Sequence, residues 1–146
     1  MNWPEYYMGF AEHAARKSKD TTQVGAILIG KEGEVCLTAF NGPPKGCHDF
    51  PYRRERPAKY LYAAHAEANL ISFAARAGIR TKGCTVYVTH HPCASCAKTL
   101  IQAGIKCIVV GDGTTSMPDS EFDAAGEMFG EASVSVELFS HGAFDT

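Results

Sequence analysis

The chain has 146 residues, 45% of them hydrophobic and 21% charged, with a formal net charge of −2. That length fits one domain that buries a core without disulfide staples, and the composition is ordinary for a globular protein. The acidic balance argues against a large nucleic-acid surface, which needs many Lys and Arg residues against phosphates, but leaves room for a small basic pocket that takes one nucleotide. No apolar run approaches the ~18 residues needed to span a membrane.

Residues 1–5 have neither the basic region nor the hydrophobic core of a secretion signal. The six cysteines are therefore expected to be reduced thiols in a cytoplasm, that of the host if the source is viral. Cys36, Cys84 and Cys107 stand among apolar residues and suit a core.

A first helix is predicted from Pro4, which suits an opening turn, to about Arg16, because Trp3, Tyr6, Tyr7, Phe10 and Ala14 recur at helical spacing. Residues 24–29 form a short apolar strand, 31–33 a turn and 34–40 a second strand, together a hairpin. Residues 41–59 hold four prolines, two glycines and six basic residues counting His48, and are expected to be a long loop, functional or disordered. An alanine-rich helix over 65–77 ends at Gly78. A strand follows over 84–89, then a helix from Pro92 to about Ala103, a strand over 105–110 and a turn-rich loop over 111–118. A helix over 119–129 and a strand over 133–138 complete the pattern, and residues 139–146 are expected to form a disordered tail.

This order predicts an α/β fold over residues 1–146. We expect a three-layer α-β-α sandwich around a mixed five-stranded sheet, with the hairpin first and then parallel strands joined by right-handed crossovers.

Two segments carry chemistry. His65-Ala66-Glu67 and, later, Pro92-Cys93-Ala94-Ser95-Cys96 together supply an imidazole, two thiolates and a carboxylate. The first three suit zinc, whose catalytic sites use three protein ligands and leave the fourth position to water. The fourth group, Glu67, suits proton transfer. Cys93 and Cys96 are three apart at a helix start and share a face, where the positive helix end favours thiolates. His65 and Glu67 are two apart, which on a regular helix points them to opposite sides. The spacing works if the metal lies off the helix N-terminal end. His90 and His91 fall beside this site as substrate contacts, an additional ligand or loop residues. A non-catalytic, zinc-stabilised nucleotide sensor is a competing reading. Glu67 weighs against it, because a structural zinc site closes with four Cys or His ligands and has no use for a carboxylate outside the ligand set.

The H-x-E…P-C-x-x-C arrangement is the known signature of zinc nucleobase deaminases, and the chain resembles the cytidine deaminase superfamily and, within it, the deoxycytidylate (dCMP) deaminases. The narrower likeness is carried by the N-terminal Trp3-Pro4-Glu5-Tyr6-Tyr7-Met8, leading to Arg16 to Asp20 and Val24-Gly25-Ala26, and by Phe40-Asn41-Gly42-Pro43-Pro44-Lys45-Gly46, while Lys59-Tyr60-Leu61-Tyr62 extends the overall match. The stretch from Gln102 to Lys106 adds to it.

The resemblance implies hydrolysis of dCMP to dUMP and ammonia for thymidylate synthesis. It also implies activation by dCTP, inhibition by dTTP, Mg²⁺ with the bound triphosphate, and a homo-oligomer of hexameric kind. It gives His65, Cys93 and Cys96 as zinc ligands and Glu67 as proton shuttle, with the Ala66 backbone facing the pyrimidine. Asn41 would reach the deoxyribose, with Val24 and residues 18–20 in the nucleotide pocket. Asn41, Gly42, Lys45, Gly46, Arg53 and Arg54 would belong to an effector site. Cytidine and tRNA adenosine deaminases share the zinc residues and remain alternatives, although the second needs a basic face for RNA.

Two departures stand out. Some relatives hold a second, structural zinc, for which this sequence shows no ligand set. Residues 111–116, Gly-Asp-Gly-Thr-Thr-Ser, contain no Arg or Lys, so no phosphate-binding cation is assigned there. The hydroxyls of Thr114, Thr115 or Ser116 are weaker candidates. Lys45, His48, Arg53, Arg54, Arg56 and Lys59 crowd one loop of an acidic chain. The arginines among them suit phosphate forks, or else the loop is a solvated surface.

Overall fold

The computed structural model describes residues 1–141. Helix α1 spans Trp3–Ala15. Its start is fixed by Asn2, whose Oδ1 accepts the Glu5 N–H at 2.9 Å while Glu5 reaches back to the Asn2 amide, a reciprocal cap. Strands β1 (Gly25–Ile29) and β2 (Val35–Phe40) form the antiparallel hairpin. A 3₁₀ turn at Pro51–Arg54 and a helical turn α2 (Lys59–Tyr62) lead to α3 (Ala66–Ala77). Then follow β3 (Thr85–His90), α4 (Ala94–Gln102), β4 (Cys107–Gly113), α5 (Asp119–Glu131) and β5 (Ser135–Leu138).

The sheet order is β2-β1-β3-β4-β5. β1 runs antiparallel to both neighbours, and β3, β4 and β5 are parallel. Both parallel crossovers step the same way across the sheet. With one handedness they must lie on the same face, and α3, α4 and α5 do share one core with Ala26, Leu28, Val86, Val88, Ile108 and Val110. The alternate residues Ile27, Ile29, Tyr87 and Val109 point the other way, onto Met8 and Ala11 of α1. Helix α1 lies so close to β1 that a methyl at Gly25 would collide with the Ala11 carbonyl. The expected three-layer fold is therefore the one observed.

Several boundaries differ. The 41–59 loop is not structureless, because Pro51 opens the 3₁₀ turn and Gly42 bridges to Ala64. β4 runs on to Gly113, into the predicted loop, because Gly113 pairs with His90 of β3. The disordered tail starts too early in the prediction. Phe139 is 4% exposed within the α1-side core, and its N–H bonds the Val110 carbonyl at 2.8 Å. His141 Nε2 lies 2.6 Å from Glu12 Oε2. The remainder of that tail, 142–146, lies outside the described residues. No helix among the described residues is long and apolar enough to cross a membrane.

This topology gathers the chemistry at one end of the sheet. β3 ends at His90 and β2 at Phe40, while β1, running the opposite way, begins there at Gly25. Helices α3 and α4 begin at that same end.

Candidate active site

His65 is the N-cap of α3, with extended backbone (φ −71°, ψ 155°), and its own side chain caps nothing. It therefore stands outside the helix, and its imidazole points to the same place as the carboxylate of Glu67 in the first turn. This resolves the two-residue spacing. Cys93 is likewise the N-cap of α4 (φ −75°, ψ 173°), and Cys96 sits on the first turn. The Ala94 N–H at that helix start is satisfied from another element, by Glu121 Oε1 of α5 at 3.1 Å.

Cys93 Sγ and Cys96 Sγ lie 3.4 and 3.3 Å from His65 Nδ1, and all three donor atoms lie within 4.8 Å of one another. A tetrahedral zinc with sulfur at about 2.3 Å and nitrogen at about 2.0–2.1 Å sets nitrogen and sulfur roughly 3.6 Å apart. The donor set and its spacing thus fit zinc. His90 and His91 do not join this group, and no second group forms among the described residues. The hydrogen bond from Cys96 pulls Cys93 down to about 4, while Cys93 and burial push Cys96 up. A bound dication deprotonates such thiols.

Glu67 is 4% exposed. Burial pushes its carboxyl up to about 7, against the opposing pull of its own backbone N–H and of His65. His65, Ala66, Glu67 and Cys93 line a cavity of about 310 Å³, together with Val24, Asn41, His90 and His91. Its outer lining includes Arg56, Thr115 and Ser116. Asn41 also ties its wall together. Its Oδ1 accepts the Val24 N–H at 2.9 Å and its Nδ2 donates to the Thr22 carbonyl at 2.8 Å, which leaves one amide N–H for a ligand. Ser18 Oγ donates to the Asn41 carbonyl at 2.9 Å.

A second cavity of about 560 Å³ takes in Asn41, Gly42, Lys45, Arg53 and Arg54 from the predicted effector set. Gly46 does not line it and instead occupies a turn with φ +93°. Lys17 and Lys19, not singled out for this role in the sequence, add positive charge from the loop after α1. Lys19 and Arg54 reach Asp49 at 3.5 and 3.6 Å. Asp20, Asn41 and Ala63 line both cavities.

The family described as the cytidine and deoxycytidylate deaminase zinc-binding region matches residues 1–112. The chain belongs to this family. A human deoxycytidylate deaminase is 38% identical over 146 residues, which covers 95% of this chain and 80% of the human one. A mouse deoxycytidylate deaminase is 42% identical over 116 residues, covering 75% of this chain and 64% of the mouse protein. Among solved structures, the dCMP deaminase of cyanophage S-TIM5 in complex with dCMP and dUMP superposes with a TM-score of 0.76 at 26% identity, covering 92% of this chain and 95% of that one. Membership of the deaminase family accounts for the shared mixed sheet and for the His/Cys/Cys group at the helix starts.

Proposed function

We propose that this chain hydrolyses dCMP to dUMP and ammonia. The observation that carries this reading is the convergence of a buried carboxylate that is not part of the metal group, Glu67, with His65 and Cys93 in the lining of one cavity, where Cys96 completes the donor group behind them. The similarity to deoxycytidylate deaminases supports the nucleotide.

His65, Cys93 and Cys96 would hold the zinc. When bound, zinc makes water a competent nucleophile at neutral pH. Glu67 takes a proton from the attacking water, delivers it to N3 of the cytosine ring and then assists the departing amine. The Ala66 backbone, in the first turn of α3, faces the pyrimidine. Val24 flanks the nucleotide, and the remaining Asn41 N–H serves a deoxyribose hydroxyl. Closure of the cavity floor keeps bulk water from competing for the Glu67 proton.

The second cavity is the effector site in this reading, taking a triphosphate with Mg²⁺. dCTP would raise activity and dTTP lower it, through the wall that both cavities share. Exposed Trp3, Tyr6 and Phe10 on α1, with Tyr60 and Leu61 on α2, support a homo-oligomer, for which the family resemblance implies a hexamer, and the free thiols suit a cytoplasm. Ammonia release from dCMP, deoxycytidine, cytidine and adenosine-containing tRNA tests the central claim. Turnover of dCMP well above the others is expected. Robust activity on tRNA, or none on dCMP, overturns it.

A further inference from the structure

The segment over 111–118 has no Lys or Arg, yet the cavity's outer lining has an arginine. Arg56 comes from the loop between β2 and α2, and its Nη2 donates to Ser116 Oγ at 2.8 Å, across 60 residues of sequence. Both residues are exposed and line the same cavity whose floor is Glu67. We propose that Arg56, joined to Ser116 and Thr115, is the clamp for the 5′-phosphate and sets the preference for a nucleoside monophosphate over a nucleoside. This rests on the reading of the site as a dCMP deaminase and names the group that discriminates its substrate.

The chemistry of the mouth is that of an anion site. A guanidinium has five N–H donors and no acceptor, and the contact with Ser116 occupies one of them. Ser116 Oγ accepts from Arg56, so its own O–H is free to donate. Thr115 Oγ1 accepts the Met117 N–H at 3.2 Å, so its hydroxyl is free in the same way. Each group presents a donor, and phosphate oxygens only accept. Arg–phosphate bonds are charge-assisted and commonly paired.

The other Lys and Arg side chains near the cavity are already engaged. Lys59 is held by Asp20 at 3.0 Å, and Arg54 lies against Asp49 in the second cavity. Among the described residues Arg56 makes no ion pair. The carboxylates of the cavity are Asp20, held by Lys59, and Glu67, at the buried end. No acid therefore competes for the guanidinium. The gradient from buried floor to exposed mouth matches a nucleotide whose base goes in and whose phosphate stays out.

The alternative is that Arg56 only ties two loops together. In that case its loss would harm nucleoside and nucleotide alike. The test compares Arg56→Gln and Arg56→Lys with wild-type zinc-loaded enzyme on dCMP and on deoxycytidine. Thermal melting confirms the fold, which an exposed side chain should leave intact. We expect kcat/KM for dCMP to fall about 100-fold in R56Q, mostly through KM, as for loss of a charged hydrogen-bonding group. Turnover of deoxycytidine should stay within about threefold, with partial recovery in R56K. Inorganic phosphate should compete with dCMP in wild type and much less in R56Q. Equal losses on both substrates, or no loss on dCMP, overturn the assignment. Calorimetric binding of dUMP separates the two levels of inference. Should wild type fail to deaminate dCMP while R56Q still weakens dUMP binding, the reaction reading fails and the clamp stands. Should wild type turn over dCMP and R56Q do so equally, the clamp fails and the reaction reading stands.

Discussion

Lys59 Nζ stands 3.0 Å from Asp20 Oδ1, with the two side chains only 10% and 8% exposed. Asp20 lies in the wall common to both cavities. A buried pair of this kind adds little over an apolar pair, but removing one partner strands the other charge at a cost of about 3–5 kcal/mol. Lys59→Met should therefore lower the urea midpoint sharply, and adding Asp20→Asn should recover part of the loss, a coupling that a double-mutant cycle measures.

The same pair sets a pH signature. Burial alone would raise the Asp20 carboxyl, but the Thr22 N–H and the Lys59 ammonium outweigh it and hold it below its usual value. A carboxyl depressed in the folded state contributes stability that is complete above its unfolded pKa, about 3.9. That stability is lost as pH falls through the lower folded value. The stability gap between wild type and K59M should be constant from pH 7 to pH 6 and close on further acidification. A gap that persists at pH 2 would show that Lys59 acts by packing instead.

Glu67→Gln keeps the shape of the side chain and removes the proton carrier without touching the metal group. Bound zinc, measured by atomic absorption, should match wild type, while kcat falls by orders of magnitude. A variant within about tenfold of wild type, roughly 1.4 kcal/mol in barrier, would remove Glu67 from the chemistry.

Glu121 reaches from α5 to the first amide of α4, at the helix end that carries Cys93 and Cys96. Loss of a cap costs about 0.5–2 kcal/mol. Glu121→Ala should lower the melting temperature modestly and speed zinc loss to a competing chelator, since the amide that orients the Cys93 segment is released. Unchanged zinc release would confine Glu121 to fold stability.

Arg53 and Arg54 line the second cavity. Replacing both with Ala should blunt activation by dCTP and inhibition by dTTP while leaving basal dCMP turnover within a few fold. Typical coupling of ~1–3 kcal/mol sets the size of response available to lose. Saturating dCTP and dTTP with no effect on the wild-type rate curve would end the regulatory reading and leave the deaminase reading in place.

The sheet was legible because its strands alternate between two cores. Ile27 and Leu28, or Val109 and Val110, are apolar on both sides and bounded by turns. The metal group was legible because His65, Cys93 and Cys96 are rare residue types at a spacing that the two helix starts explain. What escaped were contacts between distant loops. Nothing local marks Arg56 as the partner of Ser116, or Glu121 as the cap of Ala94, because each depends on how β4 and α5 return over the site. Gly111 and Gly113 suggest a turn on propensity alone, and pairing with β3 overrides it. Phe139 looked like tail because too little chain follows it to show a pattern.

His65 and Cys93 each hold two posts. Their side chains belong to the metal group, and their carbonyls accept the first bonds of α3 and α4, from Asn69 and Ala97, both at 2.9 Å. Those helices carry Leu70, Ala74, Ala97 and Leu100 into the main core. Zinc would thus act as a clasp between two helix origins as well as a reagent, and its binding energy enters the stability of that core. Stripping it with a chelator should speed amide hydrogen exchange first in the opening turns of α3 and α4, before α1 on the opposite face of the sheet feels any change.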